Sequence, residues 1–341
     1  MAHEQYKYYE LMMKERSSMD IKEIIREIKS KTDATGGLKA VYFIGCGGSQ
    51  AAIYPGYYLI RNEANNIATA LYTSNEFVFS PPKSLDNRCV CILCSRQATA
   101  ETVEAVNVAS SKGALTIAMT GFPDTEMAKV GLHRVVYSNG DNQIYSKANQ
   151  ALVLKIGFEI LHQFENYQYY EQAMGVYGKI DKIIADAKDS LLPVAKEFAE
   201  RYKNDELFYV LGSGPLFGTA YTMACCHFME MQRNHAVCLN SGEYFHGPFE
   251  TTGKKLPIIL LKSIGTTRPM DERVEKFLHT YGGRHFILDA ERTGLTAVDT
   301  HVVEYFNSVV MIPIERFFVS VLAETRGRSM DDRLYMYKVE Y

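Results

Sequence analysis

The sequence predicts an α/β protein of two tandem domains, each a parallel sheet layered between helices in an αβα sandwich, preceded by an N-terminal helix. Three observations carry this expectation. Short apolar runs alternate with helical stretches, the pattern of a parallel sheet with crossover helices. A strand, a Gly-x-Gly turn and a helix occur twice, as VYFIGCGGSQAA at 41–52 and LFYVLGSGPLFGTA at 207–220. The copies lie far further apart than the about 20–50 residues of a solenoid repeat, so they read as a duplicated domain. A chain of 341 residues suits two such domains.

The elements follow in order. Tyr9, Met12, Met13, Ile21, Ile24, Ile25 and Ile28 space a helix over 5–31, and SKTDATGG at 30–37 breaks it with turn residues. Strands are expected at 40–45, 66–72, 88–94, 115–120 and 133–138, with helices at 49–62 and 99–112. A mostly helical tract runs over 144–203, and the domain boundary is placed within 170–195. In the second half HAVCLN, LPIILLKS, RHFILDA and SVVMIPI read as strands, with helices near 215–232, 269–281 and 314–325. The closing SMDDRLYMYKVEY carries no helix signal.

Composition excludes several classes. Net charge is -3 and no long basic run occurs, so neither nucleic acid nor an anionic membrane is the expected partner. The N-terminus carries acids early and lacks the apolar core of a signal peptide. No apolar run approaches the ~18 residues of a membrane span, so a cytoplasmic protein is expected. The cysteine count is seven, an odd number, and most sit in apolar stretches such as CVCILC. They read as free, buried thiols, with no further ligands to make a zinc site.

Four features could carry chemistry. Gly45-Cys46-Gly47-Gly48-Ser49-Gln50 ends a strand and opens a helix, where glycines admit a ligand and N–H groups attract anions. The residue at 50 is glutamine rather than the third glycine of a dinucleotide fingerprint, and no Gly-Lys-Ser/Thr of a P-loop is present. A sugar-phosphate site with Ser49 as donor fits; the bland alternative is a plain strand-to-helix turn. The segment Cys94 to Thr102 follows another strand, and Ser95, Arg96 and Thr99 suit phosphate, or else Ser95 and Thr99 cap a helix. Glu230 shares a helical face with Met223, Cys226 and His227, a setting that demands either a structural partner or a role in proton transfer. His227 reads better as a hydrogen-bonded core histidine. Finally, SGEYFHGPFE at 241–250 places Glu243 and His246 among two glycines and a proline.

Together these residues resemble the SIS (sugar isomerase) superfamily in its double-domain form, over about 38–341. Ser-Gly-Glu-x-x-His-Gly-Pro, here Ser241 to Pro248, is the signature of the isomerase half of glucosamine-6-phosphate synthase and its relatives. The ending Asp-Asp-Arg-Leu-Tyr-x-x-Lys-Val-Glu-Tyr resembles that of the fructosamine-6-phosphate deglycases. After the N-terminal helix region at 1–37, the resemblance implies SIS domains at 38–170 and 195–330 and a tail at 331–341 that reaches the active site. It implies Glu230, sixteen residues before the histidine, as general base. It implies His246 as a catalytic group supplied by a neighbouring subunit of a homodimer or higher oligomer. Glu243 and Lys338 are implied at the substrate. Gly47, Gly48, Ser49 and Gln50, with Ser95, Arg96 and Thr99, are implied at its phosphate. The second phosphate loop departs from the family's Ser-x-Ser-Gly-x-Thr: Cys94, Arg96, Gln97 and Thr99 fall on those positions, and Arg96 takes the place of hydroxyls.

With no room in the first 37 residues for a glutaminase, the expectation is a cleaving enzyme. It would release a free amino acid and a hexose 6-phosphate from a 6-phosphorylated sugar–amino acid conjugate. No metal and no cofactor are expected. The alternatives are an amino-sugar-phosphate isomerase or deaminase and, in another class, a non-catalytic sugar-phosphate sensor.

Overall fold

The computed structural model describes residues 20–336 and 338–340. The chain divides into two compact units between Met174 and Gly175.

In the first unit, α1 (Ile21–Asp33) buries Ile21, Ile24, Ile25, Ile28 and Thr32 on one face. The part of the expected helix before residue 20 lies outside the described residues. The helix runs two residues past the predicted end, with the Thr32 hydroxyl donating to Ile28 O at 3.0 Å. Gly36 and Gly37 then turn the chain with φ of 102° and 89°.

Five strands follow: β1 (Ala40–Gly45), β2 (Ala68–Tyr72), β3 (Cys89–Cys94), β4 (Leu115–Thr120) and β5 (His133–Val136). They pair in the order β2-β1-β3-β4-β5, all parallel. Every residue of β1 and β3 is buried, which is why these strands read as continuous apolar runs without alternation. The crossovers carry α2 (Gly47–Glu63), α3 (Ser74–Phe79), α4 (Ala100–Ser111) and α5 (Glu126–Val130). α6 (Asn149–Glu165) lies so close to α2 that a Cβ on Gly56 would sit 2.8 Å from Val153 Cγ2. α7 (Tyr170–Tyr177) spans the division between the units.

The second unit opens with α8 (Ile180–Tyr202), which buries Ile180, Ile184, Ala187, Leu191, Ala195 and Phe198. Its sheet has β6 (Leu207–Gly212), β7 (His235–Asn240), β8 (Pro257–Lys262) and β9 (Arg284–Asp289), in the order β7-β6-β8-β9, again all parallel. This repeats the order β2-β1-β3-β4 of the first sheet, so the duplication read from the Gly-x-Gly turns extends to strand topology. α9 (Phe217–Tyr221) continues into a π-helix at Thr222–Met231, and α10 (Arg268–Tyr281) and α11 (Val303–Thr325) complete the unit.

One expected strand is wrong. SVVMIPI at 308–314 lies inside α11, and the predicted helix at 314–325 is only its second half. A buried β-branched run has no periodicity that separates strand from helix. Length and burial decide here: 23 residues form one helix, buried on nearly every side from Tyr305 to Glu315. Asn307 on this helix both donates to Ile264 O at 2.8 Å and accepts from Ile264 N at 2.9 Å, which ties it to the loop after β8. Among the described residues α11 is also the one helix long and apolar enough to cross a bilayer, but 78% of its apolar window is buried inside the protein. It is the core helix of the second unit. Cys89, Cys91, Cys94 and Cys226 are buried, Cys46, Cys225 and Cys238 are half-buried, and all seven are free.

The two Gly-x-Gly turns share their backbone. Gly47 has φ 54° and Gly214 has φ 49°, both left-handed. Their surroundings differ. A Cβ on Gly47 would meet nothing within 4 Å, whereas one on Gly214 would fall 2.2 Å from Thr267 Oγ1. Gly47→Ala is therefore expected to cost about 1–2 kcal/mol, the left-handed penalty alone. Gly214→Ala adds about 1–3 kcal/mol of overpacking to the same penalty. Urea denaturation of both variants checks the order; equal costs would contradict it.

Candidate active site

The loops at 47–50 and 95–99 leave neighbouring strands at the same end of the first sheet. Gly45 and Cys94 are register partners at the carboxyl ends of β1 and β3. Gly48 is exposed, and Gly47, Ser49 and Gln50 are half-buried at the start of α2. The Ser49 hydroxyl reaches the Cys94 thiol, which burial pushes up to about 12, so this thiol is inert. In the second loop Ser95 is buried, and its hydroxyl accepts from Thr99 N–H at 3.0 Å. Ser95 thus shapes the loop from within, close to the capping alternative. Arg96 and Thr99 are exposed. Arg96 Nε donates to Asn139 Oδ1 at 3.0 Å, and its guanidinium lies 5.8 Å from the Phe122 ring centroid. Ala98 takes φ 55°, an uncommon conformation for a residue with a side chain, of the kind that clusters at ligand sites.

The signature loop hangs from a buried polar anchor. Ser241 follows β7; its N–H donates to Gly212 O at 3.1 Å and its hydroxyl to Asp271 Oδ1 at 2.7 Å. Asp271 Oδ2 accepts from Ser263 Oγ at 2.8 Å and Ser263 N at 3.0 Å. One carboxylate on α10 therefore fixes the ends of β7 and β8. Burial raises Asp271 above the ordinary carboxylate range, against these donors. Tyr244 is fully buried beneath the loop, while Glu243 and His246 are exposed. Among the described residues the His246 imidazole makes no hydrogen bond. Gly247 follows with φ 127°, which turns the chain into the short helical turn Pro248–Thr251. His246 thus stands exposed immediately before the turn made by Gly247 and Pro248.

Glu230 sits elsewhere, near the end of the π-helix. Its winding is shown by Gln232 N–H donating to His227 O at 3.1 Å, five residues back. This corrects the face expected from α-helical spacing. His227 and Glu230, three apart, turn to different partners. The His227 Nδ1 lies 2.7 Å from Glu315 Oε2 on α11, both side chains buried. Burial raises the Glu315 carboxyl, with His227 opposing, and among the described residues its Oε1 has no partner. Cys226 lies between the two acids: burial first, then the Glu230 and Glu315 charges, push its thiol up to about 12.

Glu230 Oε1 is held at 2.7 Å by Arg333 Nη2, with the two side chains 25% and 14% exposed. The tail therefore does reach Glu230, but through Arg333, a residue the sequence reading passed over. Lys338 is exposed, and its ammonium donates to the carbonyl of Arg333. Arg333 stands in the closing Asp-Asp-Arg-Leu-Tyr motif, but the motif gave it no role; its contact with Glu230 does.

These placements separate the two expected catalytic side chains. Glu230 precedes β7 by five residues and His246 follows it by six, with β7 at His235–Asn240. A strand of six residues spans about 20 Å. Glu230 is at the amino end of the second sheet and His246 at its carboxyl end.

Residues 38–157 match the SIS domain family. The fructosamine deglycase FrlB of Bacillus subtilis is 35% identical over 323 residues, 94% of this chain and 97% of its own. The chain belongs to the SIS family of sugar-phosphate deglycases and isomerases. A fructoselysine 6-phosphate deglycase of Escherichia coli is 21% identical over 251 residues, covering 73% of this chain and 72% of its own. A solved structure from Salmonella typhimurium, described as a phosphosugar isomerase, superposes with a TM-score of 0.90 at 36% identity. That match covers 95% of this chain and all of the other. The second sheet, outside the matched segment, completes the double-SIS architecture.

The anchor of the signature loop gives a pH test. A carboxyl raised in the folded state adds stability that is full below its unfolded value, about 3.9, and is lost as pH rises through the folded value. Asp271→Asn removes this titration and leaves at least one serine donor poorly met, at about 1–3 kcal/mol. The stability gap between wild type and Asp271→Asn is expected to shrink as pH rises from about 4. Urea midpoints across that range check it; a gap that widens with pH would overturn the assignment.

Proposed function

We propose that the protein is a cytoplasmic deglycase acting on a 6-phosphorylated sugar–amino acid conjugate, with sites shared between copies of a homo-oligomer. The named relatives supply the reaction class. The carrying observation is the separation of Glu230 and His246 along β7. A base and an acid that must both touch one small substrate cannot do so from opposite ends of one strand. The missing partner of each comes from another copy, as the isologous contact of a two-fold dimer allows.

The chemistry suits these residues. In a fructosamine 6-phosphate the amino nitrogen is on C1 beside a C2 ketone. Glu230, paired with Arg333, removes a C1 proton while the C2 oxygen gains one. The enaminol takes a proton back at C2, with the exposed His246 returning it. The resulting C1 imine adds water and breaks its C–N bond. The balance is conjugate plus water to hexose 6-phosphate plus amino acid. By family resemblance the phosphate is assigned to Gly47, Gly48, Ser49, Gln50, Arg96 and Thr99, with Ser95 shaping the second loop. Glu243 stands beside His246, and Lys338 supports the tail.

The test is release of amino acid and hexose 6-phosphate from 6-phosphofructosyl-lysine, 6-phosphoglucosyl-lysine and 6-phosphofructosyl-aspartate. Glu230→Gln and His246→Ala are each expected to lower kcat by roughly 10²–10⁴-fold. Mixed oligomers refolded from the two variants are expected to regain activity that neither has alone. Active wild type with a dead mixture would remove site sharing. No release from any conjugate would remove the deglycase reading.

A further inference from the structure

We propose that Arg333 determines substrate specificity: it binds the carboxylate of the amino-acid portion of the conjugate, turning from Glu230 to do so. This rests on the reading of Glu230 as the base at C1.

The first support is the state of the guanidinium. Its Nη2 is on Glu230 Oε1 at 2.7 Å. Its Nη1 donates to the carbonyls of Met330 at 3.0 Å and Asp332 at 2.9 Å. Its Nε is buried and, among the described residues, has no acceptor. The Nε–Nη2 edge is the one that grips both oxygens of a carboxylate. Here it holds one oxygen of Glu230 and keeps one donor unmet. A buried donor without an acceptor is costly, and a second carboxylate at this edge would satisfy it.

The second support is reach. Glu230 must touch a proton on C1. In a conjugate linked through an α-amino group, the carboxyl carbon is three bonds from C1, within about 4 Å. A cation touching Glu230 therefore meets that carboxylate. The sugar phosphate is seven bonds from C1, so it is the wrong anion. In a lysine conjugate linked through the side chain, the carboxylate is also seven bonds away. Arg333 thus favours α-linked conjugates.

The third support is the mounting. Residues around Arg333 are tied to the end of the π-helix. Gln232 Nε2 lies 3.7 Å from Met330 Sδ, and Arg233 pairs with Asp332 at 3.5 Å. The backbone stays beside Glu230 while the guanidinium exchanges partners.

The experiment compares 6-phosphofructosyl-glycine, its carboxamide 6-phosphofructosyl-glycinamide, and side-chain-linked 6-phosphofructosyl-lysine. Wild type is expected to show kcat/KM roughly 10–100-fold higher for the glycine conjugate than for the amide, the range of one charge-assisted contact. Arg333→Gln should shrink that ratio below about threefold, and Arg333→Lys should restore part of it. If Arg333→Gln lowers both conjugates equally, Arg333 only positions Glu230 and the proposal fails. A wild type that treats acid and amide alike also overturns it. Equilibrium binding to Glu230→Gln, with and without Arg333→Gln, reads the same preference without turnover. A carboxylate preference in binding that Arg333→Gln abolishes, with no cleavage by wild type, would keep the Arg333 site and sink the deglycase reading. Equal affinities would sink the Arg333 site whatever the turnover.

Discussion

Two parallel strands cannot be closed by a hairpin; every connection must travel back along the full length of the sheet. That constraint arranges everything of interest here. Among the described residues all nine strands are parallel to their neighbours. Whatever follows a strand emerges at its carboxyl end, and whatever precedes it sits at the amino end. The loops after β1, β3 and β7 therefore open at carboxyl ends, where open α/β sheets bind their ligands. Glu230, at the far end of the return helix from β6, is carried to the opposite end. Sixteen residues of sequence between Glu230 and His246 thus become the length of a strand.

The second unit contains two buried carboxylates that meet the cost of burial differently. Asp271 takes donors from two serines and one backbone N–H. It is a fastener for the loop ends. Glu315 has His227 on one oxygen and, among the described residues, nothing on the other. An imidazole so held keeps one tautomer and one orientation. It stiffens the π-helix against α11 from within, while Glu230 on the same helix remains half-open to a partner from the tail. The neighbouring Phe228 adds a stacked contact with Phe208 of β6, ring centroids 4.3 Å apart.

Much of the architecture was legible because it rests on local rules. The Gly-x-Gly turns need left-handed glycine, so the duplicated strand-turn-helix could be read directly from Gly47 and Gly214. Buried parallel strands such as CVCILC announce themselves as short apolar runs between turns. The same logic misread SVVMIPI, because a helix buried on all sides is written in the same residues. The π-winding of 222–231 left no trace in sequence, and nothing in its local residues explains it. Local pattern marked Glu230, on an apolar helical face, and His246, among glycines and a proline, as candidates; family resemblance supplied their paired catalytic roles. Arg333 stood in the quoted tail motif without a role, since a tail without helical or strand period gives no direction to its side chains, and Lys338 drew attention in its place.

The π-helix has a consequence for how this segment can vary. Wound with bonds five residues apart, it holds more residues per turn than an α-helix of the same height. Removing one residue would let it tighten to ordinary winding, and each residue of an α-helix turns by about 100°. Everything beyond the deletion would swing by roughly that angle, carrying the Glu230 carboxylate off Arg333 and away from Cys226. With six of its ten side chains already buried, the segment is constrained in length as well as in content: a change by a single residue would dismantle the site while leaving the sheet beside it intact.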